Sequence, residues 1–144
     1  MSVDRWHELV DNAGLTVFYL KKDVRIMAGQ RTVGLEWRRR QAVVDRILCP
    51  IGGGGLISGL GLAIKAQKPE VELIGVEPEG AATMFNAWHK QDASASLDSV
   101  DTWAASLAPA VVGDCTSAAS RQVVAQHLPV TESSLRDSTR PLPP

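Results

Sequence analysis

The sequence predicts an α/β protein, an open, mainly parallel sheet with helices on both faces. Three observations carry that expectation. Apolar runs of strand length, residues 46–51 (RILCPI) and 71–77 (VELIGVE), alternate with alanine- and leucine-rich stretches of helical spacing. Strands that alternate with helices need crossover connections, which make neighbouring strands parallel. Four consecutive glycines, Gly52, Gly53, Gly54 and Gly55, join the first of those strands to the next helix. That junction falls at the carboxyl edge of the sheet, where open α/β folds bind ligands.

Taken in order, Val3, Trp6, Val10 and Ala13 recur at helical spacing, and Gly14 makes a stop. Residues 15–20 (LTVFYL) form a β-branched and aromatic run, hence a strand. Residues 32–44 read as a helix with Val33 and Trp37 on one side and Arg38, Arg39 and Arg40 on a solvated face. The strand 46–51 follows, then a helix over 56–67 closed by Pro69. After the strand 71–77 come a helix over 81–91 and a loop of small residues to about Pro109. A helix over 116–128, capped by Thr116 or Ser117, precedes a tail, RPLPP, that can continue neither helix nor sheet. No internal repeat is visible, and disorder is expected only in that tail and over 92–99.

With 144 residues, 44% apolar and 22% charged, the chain reads as one soluble domain. A net charge of −1 gives no reason to expect nucleic acid or an anionic membrane as partner. The first residues, MSVDRWHELVDNAGL, have no apolar core of a secretory signal. No apolar run approaches the roughly 20 residues of a membrane span. Cys49 and Cys115 lie far apart with no C-x-x-C pair, so a cytoplasmic setting fits. Cys49 reads as a small buried hydrophobe. His7, His89 and His127 read as surface or packed residues, and Trp6, Trp37, Trp88 and Trp103 as core anchors.

The glycine run needs a chemical reason, because each glycine costs backbone entropy. A tight turn needs one or two, and a flexible linker does not sit between two apolar elements. A helix N-terminus presents unpaired N–H groups and about half a positive charge. Residues without Cβ let an anion approach those amides closely, so a phosphate monoester is the natural occupant. The G-x-x-x-x-G-K-[ST] pattern of triphosphate loops is absent, since no lysine follows until Lys65. The G-x-G-x-x-G fingerprint is not met either. Glu77, about twenty residues on at the next strand end, keeps a dinucleotide-binding module alive as an alternative, with Glu77 on a ribose.

Beyond spacing, PIGGGGLISGLGLAIKAQKPEVELIGVEPEGAATM (50–84) closely resembles the threonine dehydratase and serine racemase family of fold-type II pyridoxal-phosphate enzymes. MAGQRTVGLE (27–36), SVDTWAASLA (99–108) and LPVTESSLR (128–136) are similar to further segments of that family, in the same order. The similarity runs from about Leu15 to Arg136. It implies a partial tryptophan synthase beta-like catalytic domain over 1–140 with a disordered tail at 141–144. It further implies pyridoxal 5′-phosphate as cofactor, its phosphate bound by Gly52, Gly53, Gly54, Gly55 and the amide of Leu56.

The reaction so implied removes the hydroxyl of threonine or serine and releases a 2-oxo acid and ammonia. A serine racemase-like fragment and a non-catalytic phosphate- or dinucleotide-binding module are the alternatives. The family's Schiff-base lysine belongs to a segment that none of Lys21, Lys22, Lys65, Lys68 and Lys90 matches, so no catalytic residue is assigned. Expected, therefore, is a fragment without turnover of its own, exposing an apolar strand edge or helix face and associating with itself or with a complementing chain. Arg31 replaces a glycine of the family pattern, where burying it would be costly. Ala105 and Ser106 replace an Asp-Gly pair beside the family's active site. Some relatives bind a divalent cation through an acid matching Glu77, a carbonyl matching that of Ala81 and a second acid two residues further on; Thr83 stands at that last position, so no metal site is expected.

Overall fold

The computed structural model describes residues 10, 12–13, 23–40 and 44–139, Arg38 by its backbone alone. Its elements are α1 (Val24–Arg40), β1 (Arg46–Pro50), α2 (Gly55–Lys65), β2 (Glu72–Pro78), α3 (Thr83–Lys90), α4 (Asp114–Val123), β3 (Gln126–Val130) and α5 (Glu132–Ser138). Single 3-10 turns lie at Glu79–Ala81 and Ala105–Leu107.

In β1, Ile47 and Cys49 are buried while Arg46, Leu48 and Pro50 face outward. That alternation marks a strand with one covered face. β2 is buried on both faces through Leu73, Ile74 and Gly75, as its nearly continuous apolar run requires of a central strand. The sheet is parallel throughout in the order β1-β2-β3, with Leu48 opposite Ile74 and Val76 opposite Leu128. Arg46 and Glu72 face each other at its start and form an exposed ion pair at 2.6 Å.

α2 is buried along most of its surface, and its glycines mark where neighbours press closest. A side chain at Gly59 would run into the Met27 carbonyl oxygen and Gln30 of α1. One at Gly61 would meet Val123 of α4 and Leu73 of β2. A Cβ at Gly34 of α1 would lie only 3.0 Å from the Ala63 methyl. The core gathers Ile47, Ile51, Ile57, Leu60, Leu73 and Met84 around this helix. Each such side chain contributes roughly 1.5–3 kcal/mol by leaving water. α5 approaches the other sheet face, where Leu135 and Ser138 share a cavity of about 270 Å³ with Val76 and Val130.

Several boundaries differ from the sequence reading. The helix expected over 32–44 begins at Val24, because Asp23 caps it. Asp23 Oδ1 accepts the Arg25 N–H at 2.8 Å, and its carbonyl accepts that of Ile26 at 3.0 Å. The helix expected over 116–128 covers Asp114–Val123 and gives way to β3, since the Ala125 N–H joins the sheet through the Leu73 carbonyl. Gly113, not Thr116 or Ser117, holds its N-cap position. The helix expected over 81–91 splits into the turn Glu79–Ala81 and α3.

Residues 92–99, expected to be disordered, are irregular but held. Ser94 donates to Asp92, and the Asn86 side-chain amide donates to the Ser96 carbonyl at 3.2 Å. Trp37 and Trp103 are exposed rather than core anchors, and Trp88 is half-buried. Arg31 is exposed on α1, so no burial cost arises, and Arg39 and Arg40 are solvated as expected, Arg40 pairing with Glu36. The strand read over 15–20, most of the helix read over 3–13 and the tail lie outside the described residues, although Val10, Asn12 and Ala13 are helical. Among the described residues no helix is long and apolar enough to cross a membrane.

Candidate phosphate cradle

Ile51, the residue after β1, is fully buried, its N–H bonded to the Val76 carbonyl at 2.8 Å. The chain then turns through Gly52, Gly53 and Gly54 into α2. Gly54 takes φ of +85°, a left-handed conformation that glycine adopts at no steric cost. A Cβ there would run into the end of Met84 and lie 3.1 Å from Thr116 Cβ. At Gly52 a Cβ would lie 3.3 Å from the Leu107 backbone. The glycines thus serve close packing within the fold.

From the other side, the Thr116 hydroxyl of α4 lies 2.8 Å from the Gly53 carbonyl and Ser58 donates to the Thr116 carbonyl at 3.0 Å. The first of these contacts turns the Gly53 carbonyl toward α4. No described residue accepts a hydrogen bond from the N–H groups of Gly52 through Ile57. Those amides open a helix whose first turn carries no acid, so its positive end is uncompensated.

In front of them lies a cleft of about 480 Å³, floored by Gly53, Gly55 and Leu56. Ile26 and Gln30 of α1 form one wall, and Ala105, Ser106, Ala108 and Pro109 the opposite one. Three segments that are remote in sequence therefore meet around the amides. The arrangement suits a small anion with an organic body, held by backbone rather than by charged side chains.

The other residues singled out in the sequence lie elsewhere. Lys65 closes α2 at the end away from the loop and bonds the Pro69 carbonyl at 2.8 Å; Lys68 lies just past it and Lys90 ends α3. Lys21, Lys22, His7 and Trp6 are outside the described residues. Glu77 is fully buried, its two oxygens accepting the N–H groups of Met84 at 2.8 Å and Phe85 at 3.0 Å. A carboxylate buried in this way at the start of α3 is closed to a ribose hydroxyl arriving from solvent, which counts against the dinucleotide alternative. Thr83 likewise turns its hydroxyl to the Pro109 carbonyl at 2.7 Å.

His127 Nε2 lies 2.9 Å from Glu77 Oε2, although the angle falls outside hydrogen-bond geometry, and its ring meets Phe85 and Trp88 edge-on. Burial pushes the Cys49 thiol up to about 11, whereas Cys115 is exposed. Sequence reasoning missed Thr116, Ser58 and Ser120 as the struts of the loop. Their contacts with the loop, α2 and α3 span 36 to 63 positions, so no local spacing signals them.

Residues 3–142 match the family described as pyridoxal-phosphate dependent enzyme. The chain belongs to that family. Among curated proteins it is 36% identical over 117 residues to the biosynthetic, chloroplastic threonine dehydratase 2 of Solanum lycopersicum, covering 81% of this chain and 20% of that protein. Among solved structures, a T.th. threonine deaminase superposes with a TM-score of 0.84 at 31% identity, over 96% of this chain and 50% of that one. The serine racemase of maize gives a TM-score of 0.84 at 30% identity, over 91% and 41%. The chain therefore spans from a fifth to a half of the length of these relatives.

Proposed function

We propose that this chain is the phosphate-gripping part of a pyridoxal-phosphate-dependent ammonia-lyase of the threonine dehydratase type. The observation that carries the reading is the set of N–H groups from Gly52 to Ile57, at the open end of α2, that bond to no described residue. When bound, pyridoxal phosphate supplies the electron sink for removing the Cα proton and β-hydroxyl of threonine or serine. The chain's own part is to hold and to shield. Gly52, Gly53, Gly54, Gly55 and Leu56 donate backbone N–H groups to the phosphate. The 105–109 wall and the face of α1 keep water from the body of the ligand.

Among the described residues, no side chain lining the cleft is a base placed for proton removal. Lys65 stands about 15 Å from the loop along a helix of 11 residues. Turnover, in the cytoplasm, then requires a lysine from outside the described residues, such as one carried by a complementing chain of different sequence. The test is a titration of the purified chain with pyridoxal phosphate, inorganic phosphate as competitor, followed by an assay for 2-oxobutyrate from threonine. Expected are binding that phosphate competes away and no 2-oxobutyrate. Steady turnover by the chain alone, or cofactor binding indifferent to phosphate, overturns the proposal. Similarity to the maize serine racemase favours one second reading, a racemase-like site, which the formation of D-serine in a complemented assembly would reveal.

A further inference from the structure

Glu132 opens α5, yet its side chain does not cap that helix. Thr131 does so, accepting the Ser134 N–H at 3.1 Å. Glu132 instead reaches back to the loop that follows α3. Its Oε2 accepts the Trp103 N–H at 2.9 Å. Its Oε1 is closed off from solvent beside Gly80, where a Cβ would come within 3.2 Å of it. That oxygen lies outside full hydrogen-bond geometry, so the Gly80 amide acts on it electrostatically. Gly80 in turn accepts the Asp101 N–H at 2.9 Å. The carboxyl is held below the usual glutamate range, chiefly by the Trp103 N–H, with help from Thr102, Gly80 and Arg136.

From Trp103 the chain runs directly into the far wall of the cleft. The Ala104 N–H bonds the Thr102 hydroxyl at 3.1 Å, and the turn Ala105–Leu107 begins at the next residue. Leu107 rests against Gly52, while Ala105 and Ser106 face the cleft. At the other end of this wall the Pro109 carbonyl is fixed by Thr83. The wall is thus held at two points, a buried hydroxyl behind it and one carboxylate in front.

We propose that Glu132 is a positioning residue for the cradle, setting the place of the 105–109 wall over the glycine loop and so how tightly the anion is held. This rests on the reading of the cleft as a phosphate-monoester site. The geometry separates the role from helix stability, because α5 has its cap in Thr131. It also predicts which variant preserves the function, since a glutamine can still accept the Trp103 N–H.

The experiment compares the full chain with Glu132→Ala and Glu132→Gln. Pyridoxal phosphate affinity is read by titration, and hydrogen exchange at the Trp103 amide by NMR. Expected in Glu132→Ala are affinity reduced on the order of fivefold or more, the lower range of coupling between linked sites, and faster exchange at Trp103. Glu132→Gln should restore both. Equal cofactor affinity in wild type and Glu132→Ala overturns this proposal alone. Absence of cofactor binding in the wild type overturns the reading of the cleft together with it, and the Trp103 amide then shows whether the carboxylate holds the wall at all.

Discussion

Gly54 carries two demands that only glycine meets. Its φ of +85° costs an L-residue roughly 1–2 kcal/mol from the backbone alone. Its missing Cβ leaves room for Met84 and Thr116. Gly54→Ala should therefore lower the unfolding free energy by about 2 kcal/mol and weaken pyridoxal phosphate binding; urea denaturation and a ligand titration check both. Gly29, with nothing within 4 Å of its would-be Cβ in the same fold, is the control. Gly29→Ala should be neutral or stabilise by up to about 1 kcal/mol. The glycine run was legible because four residues without side chains leave a pattern in the letters. Thr116, Glu77 and Glu132 were not, since their partners lie 63, 7–8 and 29 positions away and no local pattern marks them. Trp37 and Trp103 misled in the opposite sense: size alone favoured the core, yet each follows the exposed side of its segment.

Between elements, the crossing of α1 over α2 depends on backbone meeting backbone. Gly59 lies where the Met27 carbonyl and Gln30 of α1 come closest, and Gly34 answers it beside Ala63. α2 carries Gly55, Gly59 and Gly61, each costing about 1 kcal/mol of helix propensity. The helix forms nonetheless because Ile57, Leu60 and Ile64 are buried along it. Gly59→Val should push the helices apart, costing about 1–3 kcal/mol as overpacked interiors do. Because Ile26 and Gln30 wall the cleft, the same variant should also bind pyridoxal phosphate more weakly. Thermal unfolding with and without the ligand reads both effects; an unchanged midpoint would contradict the packing argument. The centres of α2, β1 and β2 were legible from periodicity, whereas the start of α1 was not. Its cap, Asp23, precedes a stretch of mixed polarity that shows no apolar stripe.

For the molecule as a whole, the sheet of three parallel strands leaves both outer strands with a free side among the described residues. On one face Leu48 is 66% and Leu128 42% exposed, aligned through Ile74 and Val76 of the central strand. An apolar row of this kind beside unpaired strand edges favours association. The double variant Leu48→Lys with Leu128→Lys should shift the chain toward monomer in sedimentation velocity, with little change in unfolding free energy because neither side chain is buried. A wild-type monomer at high concentration would remove the basis for that expectation. The alternation of strand and helix made the parallel sheet legible in advance. The open face could be anticipated only through the family resemblance, because nothing in Leu48 or Leu128 by itself tells a buried apolar residue from a bare one.

The cleft draws its floor from residues 53–56 and its far wall from residues 105–109. On the ribosome the floor is made first, and roughly fifty further residues must be added before the wall exists, on the order of several seconds at ordinary elongation rates. Through that interval the amides lie open on the side that the wall later closes. On the proposed reading of the cleft, firm hold on the cofactor by a nascent chain trails synthesis of the wall, however early the amides emerge.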